Sequence, residues 1–244
     1  MTGAARETCV VTGATSGIGR DLTVSLASRG ATVWALARSA ERLEAVVAEA
    51  EGLPGSVVPL VADLSRDKDV HEASRRVLTE TSRVDVLVHS AGAIALGTFE
   101  SVPPADFDAL YRVNLRAPFV LTQDLLPALR SARGQIVFVN SSAGLRASAL
   151  NALYAATKHG LKAMADGLRD EVNADGIRVI SVYPGRTATA MQQFVHDQEG
   201  REYRPEVLLR AQDVVEVVLA ALAVPRSGEV TDVSVRPMAK LTGG

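Results

Sequence analysis

The chain of 244 residues has little of several things. A single cysteine, Cys9, excludes an internal disulfide. It sits in the apolar run "TCVVTG", where a small buried hydrophobe is expected rather than a reactive thiol. Aromatic residues are only 4% of the chain, with 4 tyrosines. Neither sign of charge dominates: 26 basic residues face 28 acidic ones, and no basic stripe or charged tail is visible, so no nucleic-acid partner is expected. No apolar run reaches the ~20 residues of a membrane span. The first residues show no basic segment followed by a long apolar stretch, so neither a signal peptide nor a membrane partner is expected, and a cytoplasmic location follows as the default. The 4 histidines, His71, His89, His159 and His196, lack metal-ligand spacing, and no metal is expected.

What is present is alternation. Short apolar runs separated by amphipathic stretches read as seven strands: "TCVVTG", "ATVWALA", "SVVPLVADL", "VDVLVHSAG", "GQIVFVNSS", "IRVISVYPG" and "EVTDVSVRP". Strands apolar on both faces and alternating with helices predict an α/β fold. The expectation is a single doubly wound Rossmann-type domain over 1–244, a seven-stranded parallel sheet with helices on both faces. "FDALYRVNLRAPFVLTQDLLPALRSA" reads as one long helix or two abutting ones. The apolar faces of "VVEVVLAALAV" and of the helix around Tyr154 are either ordinary core or an oligomer interface. The polar segment 186–205, with "MQQFVHDQEGREYRPE", shows no strong periodicity and reads as a loop acting as a substrate lid.

"VTGATSGIGR" follows the first strand and opens the first helix. Gly13, Gly17 and Gly19, with Ser16 and Ile18 between and beside them, suit a tight turn that brings backbone N–H groups and a helix N-terminus against a pyrophosphate. At the end of the second strand, where an acid would bond a ribose 2′-hydroxyl, the chain has Ala37 and then Arg38. An arginine there offers donors to a 2′-phosphate, which predicts NADP(H) over NAD(H), with Ser39 and Arg42 as helpers. Glu41 keeps the NAD(H) alternative open. Asp63, beside Leu64 at the end of the third strand, either accepts from an adenine amino group or caps the next helix.

Tyr154 and Lys158 are four residues apart and share a helix face. An ammonium ~4 Å from a phenol is worth about 4 kcal/mol at an effective dielectric near 20. That would lower the phenol pKa by roughly three units, toward neutrality. Ser141 lies thirteen residues before Tyr154, beyond the carboxyl end of the fifth strand, the side on which such sheets bind ligands.

Together "TGATSGIG", Asp63, "SAG" (Ser90, Ala91, Gly92), Asn114 in "YRVNL", Ser141, "YAATK" and "PGRTAT" resemble the short-chain dehydrogenase/reductase family, in order and spacing, over essentially the whole chain. The resemblance implies hydride transfer between NADP(H) and a small-molecule carbonyl or alcohol substrate. Tyr154 would be the acid/base, Lys158 would lower its pKa and bond the nicotinamide ribose, and Ser141 would hold the substrate oxygen. Asn114 would anchor a water leading from Lys158 to solvent. Pro184, Gly185, Thr187 and Thr189 would seat the nicotinamide. By the same analogy the chain would be a homo-oligomer, a tetramer or dimer. A non-catalytic NADP(H)-binding sensor or scaffold is the alternative. The chain departs from the family pattern at His89-Ser90, where two asparagines are common, which implies a slightly weaker brace between strands. It departs again at Arg186, which is left open among cofactor phosphate, substrate acid and solvent. Ser142 is expected to be a turn former.

Overall fold

The first strand, β1 (Thr8–Thr12), is buried along its whole length, as a run of Cys and Val flanked by neighbours on both sides requires. It pairs in parallel with β2 (Thr32–Ala37) on one side and β4 (Val86–His89) on the other. The computed structural model describes residues 6–238, so the two ends of the expected 1–244 domain lie outside the described residues. Beyond β2 lies β3 (Ser56–Val61); beyond β4 lie β5 (Gln135–Val139), β6 (Arg178–Pro184) and β7 (Asp232–Val235), giving the order β3-β2-β1-β4-β5-β6-β7, all parallel. Pro59 interrupts β3 without harm because β3 is an edge strand, where one N–H can be spared.

One face of the sheet is covered by α1 (Gly17–Ser28), α2 (Ala40–Glu49) and α8 (Ala211–Leu222). The other is covered by α3 (Asp67–Glu80), α5 (Ala117–Ala132) and α6 (Ala152–Val172). Val214, Val215, Val218 and Leu219 of α8 are buried in the first of these cores, so this apolar face is core rather than free surface. The chain runs outward from β1 in both directions, and the strand order reverses between β1 and β4. A crevice at the carboxyl ends of these two strands is the geometric result.

One element settles an open alternative and another differs from expectation. The long helix is α4 (Pro104–Tyr111) and α5 joined by one π-helical turn, Arg112–Arg116, in which the N–H of Ala117 reaches five residues back to Arg112. The segment expected as an irregular loop contains a helix, α7 (Ala190–Glu199). Thr189 accepts the N–H of Gln192 at its start, and Gly200 ends it in the left-handed conformation, so ordinary stop and start signals outweigh its weak amphipathicity.

Candidate active site

A cavity of about 950 Å³ occupies the crevice. Its floor is backbone. Gly13 has φ +68°, and a Cβ there would lie 2.8 Å from Cα of Ala91; a Cβ on Gly19 would lie 2.4 Å from the carbonyl oxygen of Gly13. Only glycine therefore lets the β1–α1 turn close onto the loop after β4. Ser16 stands at the N-cap of α1 with no side-chain cap bond, and Ile18 lines the cavity beside it. The first N–H groups of α1 are left to face the cavity, as an anion site requires. Thr12 braces the two strands: its hydroxyl accepts the N–H groups of Ser90 and Ala91, each at 3.1 Å. The brace expected from the Ser90 side chain is thus supplied by Thr12, and the Ser90 hydroxyl packs near Gly19 instead. His89 is buried, paired to the Thr122 hydroxyl at 2.8 Å and stacked on Phe138. Burial pushes its pKa down to about 3, so it is a neutral core residue.

Arg38 follows β2 at the cavity's edge, and among the described residues it has no ion pair or hydrogen bond. Ser39 accepts the N–H of Arg42 at 3.2 Å, and the Arg42 guanidinium donates to the Thr15 carbonyl at 3.4 Å. All three line the cavity; Glu41 does not. Asp63 also lines it, but does not cap α3, whose N-cap is Arg66. Its carboxylate instead accepts the N–H and hydroxyl of Ser65, at 3.0 and 2.8 Å, because three further residues separate it from the helix. The backbone bond from Ser65 is the chief cause of a carboxyl held below its ordinary range. Leu64, next to it, is buried under the cavity wall.

At the other end, Ser141 lies just past β5, and Tyr154 and Lys158 rise from the first two turns of α6. The Ser141 hydroxyl accepts the N–H of Ala143 at 3.1 Å and lies on the side of the Tyr154 phenol. Ser142 is exposed and begins the short turn Ser142–Gly144, as expected of a turn former. The tyrosine pKa expectation is corrected. The Lys158 ammonium lies 5.9 Å from the phenol ring centroid and donates to the Val139 carbonyl at 3.2 Å. Desolvation of the buried phenol then wins, and its pKa is raised rather than lowered. Burial also lowers Lys158, from 10.5 to about 8.

Asn114 sits in the π turn and is buried. Its amide accepts from the N–H of Ala93 at 2.7 Å, and donates to the Ala93 carbonyl at 2.9 Å and the Thr157 hydroxyl at 3.1 Å. It thus ties the loop after β4 to α6. A residue that sequence reasoning missed is Asn140. Its amide donates to the main-chain carbonyl of Lys158 at 3.1 Å, while the Lys158 side chain donates to the carbonyl of Val139. The two residues before Ser141 and Lys158 therefore clasp each other in both directions. The available signal was a lone amide ending the apolar run "IVFV".

Pro184 ends β6, and Gly185 donates to the Val235 carbonyl at 2.7 Å. Thr187 is buried and bonds back to Gly185; Thr189 caps α7. Arg186 has a protein partner: one guanidinium nitrogen lies 2.7 and 2.9 Å from the two oxygens of Glu199 at the end of α7, while the other is buried without a partner. Among the described residues no group of three or more His, Cys, Asp or Glu could hold a metal ion.

The sheet order, the crevice at the strand reversal and the glycine turn at its floor are those of a Rossmann-type α/β protein, here with a serine, a phenol and an ammonium gathered at one end of the crevice. The chain belongs to the short-chain dehydrogenase family, whose model matches residues 7–200. It is 34% identical over 218 residues to the 3-oxoacyl-(acyl-carrier-protein) reductase of Thermotoga maritima, covering 87% of this chain and 89% of that one. A metagenomic short-chain oxidoreductase solved in complex with NADP is 32% identical, with a TM-score of 0.83 over 96% of this chain and 98% of that chain. A short-chain dehydrogenase of Escherichia coli CFT073, solved with NADPH, is 29% identical, with a TM-score of 0.84 over 93% and 95%.

Proposed function

We propose that this oxidoreductase transfers a hydride between NADP(H) and a carbonyl or secondary alcohol, with Tyr154 as the acid/base. The observation that carries the reading is one cavity lined at one end by Arg38, Ser39 and Arg42 and at the other by Ser141, Tyr154 and Lys158. The relatives solved with NADP and NADPH support the same cofactor. When bound, the dinucleotide supplies or accepts the hydride. Gly13, Ser16, Gly17, Ile18 and Gly19 would hold its pyrophosphate, Arg38 its 2′-phosphate, and Asp63 with Leu64 its adenine. Ser90, Ala91 and Gly92 would line the ribose side, and Pro184, Gly185, Thr187 and Thr189 the nicotinamide side, with the Lys158 ammonium toward the ribose. The glycine turn, which lets the main chain at the start of α1 line the cavity, fits such a group.

The chain's own part is proton handling. Burial keeps the phenol protonated at neutral pH, the state that donates to a carbonyl oxygen. Ser141, which lines the same cavity as the phenol, would hold that oxygen. Lys158, with a pKa of about 8, is charged at pH 7 and would stabilise the phenolate left behind. Asn114 would anchor the water that returns the proton. The reading includes one domain with 186–205 as its substrate lid, a cytoplasmic location, and a dimer or tetramer. No helix of the described residues is long and apolar enough to cross a membrane, and Phe107, Tyr111 and Phe119 stand partly exposed along α4 and α5.

The test is a fluorescence titration with NADPH and NADH. NADPH should bind the wild type more tightly, and Arg38→Asp should reverse the ratio, by about 10- to 100-fold for a lost charge-assisted contact and an added repulsion. Binding of neither nucleotide by folded protein would end the hydride-transfer reading.

A further inference from the structure

The chain leaves β6 at Pro184 and returns at α8, and the two ends of this excursion are tied together. The N–H of Ala188 donates to the Leu209 carbonyl at 2.7 Å, and the N–H of Leu209 to the Arg186 carbonyl at 3.0 Å. Beyond this neck lies α7, which has a small interior of its own. His196 is buried, its Nδ1 lies 2.8 Å from the Gln192 carbonyl, and its ring meets that of Tyr203 edge-on at 5.4 Å. Apart from bonds to Thr189 at its start, the hydrogen bonds of 190–208 among the described residues stay within the segment, with one exception: the contact of Arg186 with Glu199. Arg201 also approaches Glu199, at 3.6 Å, but it belongs to the same segment and cannot tie it to the sheet.

A helix of 10 residues is about 15 Å long. The near end of α7 is fixed: Thr189 sits against the glycine turn, where a Cβ on Gly17 would lie 2.8 Å from the threonine methyl. The far end is held to the rest of the chain by the Glu199 carboxylate. Between them Met191, Gln192 and Val195 line the cavity. Met191 stands beside the Asn114 brace, since a Cβ on Gly92 would lie 3.7 Å from both the Asn114 amide oxygen and the Met191 methyl. Burial would raise the Glu199 carboxyl, but the Arg186 bond and the charges of Arg186 and Arg201 hold it below its ordinary range, so the pair is charged at neutral pH. A rod held at both ends keeps its side chains at a set distance from a substrate. Released at the far end, it pivots about Thr189.

We propose that Arg186 and Glu199 are positioning residues: their ion pair fixes the far end of α7 and so holds Met191, Gln192 and Val195 over the substrate. The proposal rests on the hydride-transfer reading above. It also gives Arg186 a requirement that can be tested. Only one guanidinium nitrogen makes the contact, and the other is buried without a partner. A lysine ammonium can therefore supply the bond that matters here, although it could not replace an arginine that used its whole fork.

The experiment compares Arg186→Met, Glu199→Gln and Arg186→Lys with the wild type. In the first two, chymotrypsin should cut after Phe194 or Tyr203 about 10-fold faster, because the charge-assisted bond that favours the seated helix is gone. At saturating NADPH their KM for 2-octanone should rise about 10-fold with kcat within about 2-fold, since substrate binding must now seat the helix. The NADPH dissociation constant and the urea midpoint should stay at their wild-type values, which a general loss of structure would not allow. Arg186→Lys should keep cleavage and KM within about 3-fold of the wild type. Unchanged cleavage in both neutral variants would overturn the proposal. So would a loss in Arg186→Lys equal to that in Arg186→Met, or a rise in the NADPH dissociation constant matching that in KM; either would assign the unpartnered nitrogen to a bound ligand instead. If the wild type reduces no carbonyl, the cleavage comparison still decides the hold on α7, and the hydride-transfer reading alone falls.

Discussion

At its β1–β3 end the cavity is shaped by main chain: a glycine turn, a helix start and strand ends whose positions no side chain can adjust. At its β4–β6 end it is shaped by side chains from four separate elements, held by bonds such as Asn114 to Ala93 and Arg186 to Glu199. The first end tolerates almost no change at its glycines. The second tolerates change where a side chain merely lines the wall, and little where it braces another residue. Recognition of a constant ligand can be built from backbone, whereas recognition of a variable one is left to side chains.

The comparison breaks most visibly at Tyr154. Tyr154→Phe should cut kcat about 1000-fold, the loss of a positioned acid, with NADPH affinity unchanged in the fluorescence titration. A matching loss of affinity would mean that the two ends are not separable. Gly19→Ala should do the reverse. A methyl group 2.4 Å from the Gly13 carbonyl cannot be absorbed without moving the turn, so NADPH affinity should fall about 100-fold or more in the same titration.

Lys158 sharpens the contrast by setting stability against chemistry. Its pKa falls on folding from 10.5 to about 8 through burial, a cost of about 3 kcal/mol in the charged state. Between those two pH values the unfolded chain binds more protons than the folded one, so stability rises with pH across that window. The full cost is present at pH 7. Lys158→Met should therefore raise unfolding free energy in urea by up to about 3 kcal/mol at pH 7, with the gain vanishing above pH 10.5, while activity is lost. The smallest effect is expected at Asn140. Asn140→Ala removes one buried bond to the Lys158 main chain, worth about 1–2 kcal/mol, and should lower kcat about 10-fold in steady-state assays with NADPH affinity intact.

The same division explains what could be read in advance. The seven strands, the glycine turn, Arg38 and the Ser141–Tyr154–Lys158 set were legible, because each depends on local spacing or on a run of buried residues. The direction of the Tyr154 pKa was not, since spacing places Lys158 on the same face but does not say that its ammonium will find the Val139 carbonyl. The partner of Arg186 was invisible for a similar reason: Glu199 becomes its neighbour only because α7 folds between them. That helix was itself overlooked, although Thr189 and Gly200 mark its ends, because ten residues of mixed polarity show little periodicity.

The π turn at Arg112–Arg116 amounts to one surplus residue threaded into an otherwise continuous helix. Each residue of an α-helix advances the side chains by about 100°. Deleting one residue from this turn would let the helix close into uniform α geometry, leaving α4 and α5 near their present settings but redirecting the residues of the turn itself. Asn114 would then swing off Ala93 and Thr157, and the loop after β4 would lose its anchor to α6. The site thus depends on a length as well as on an identity: shortening the chain by one residue here should be as damaging as replacing the asparagine itself.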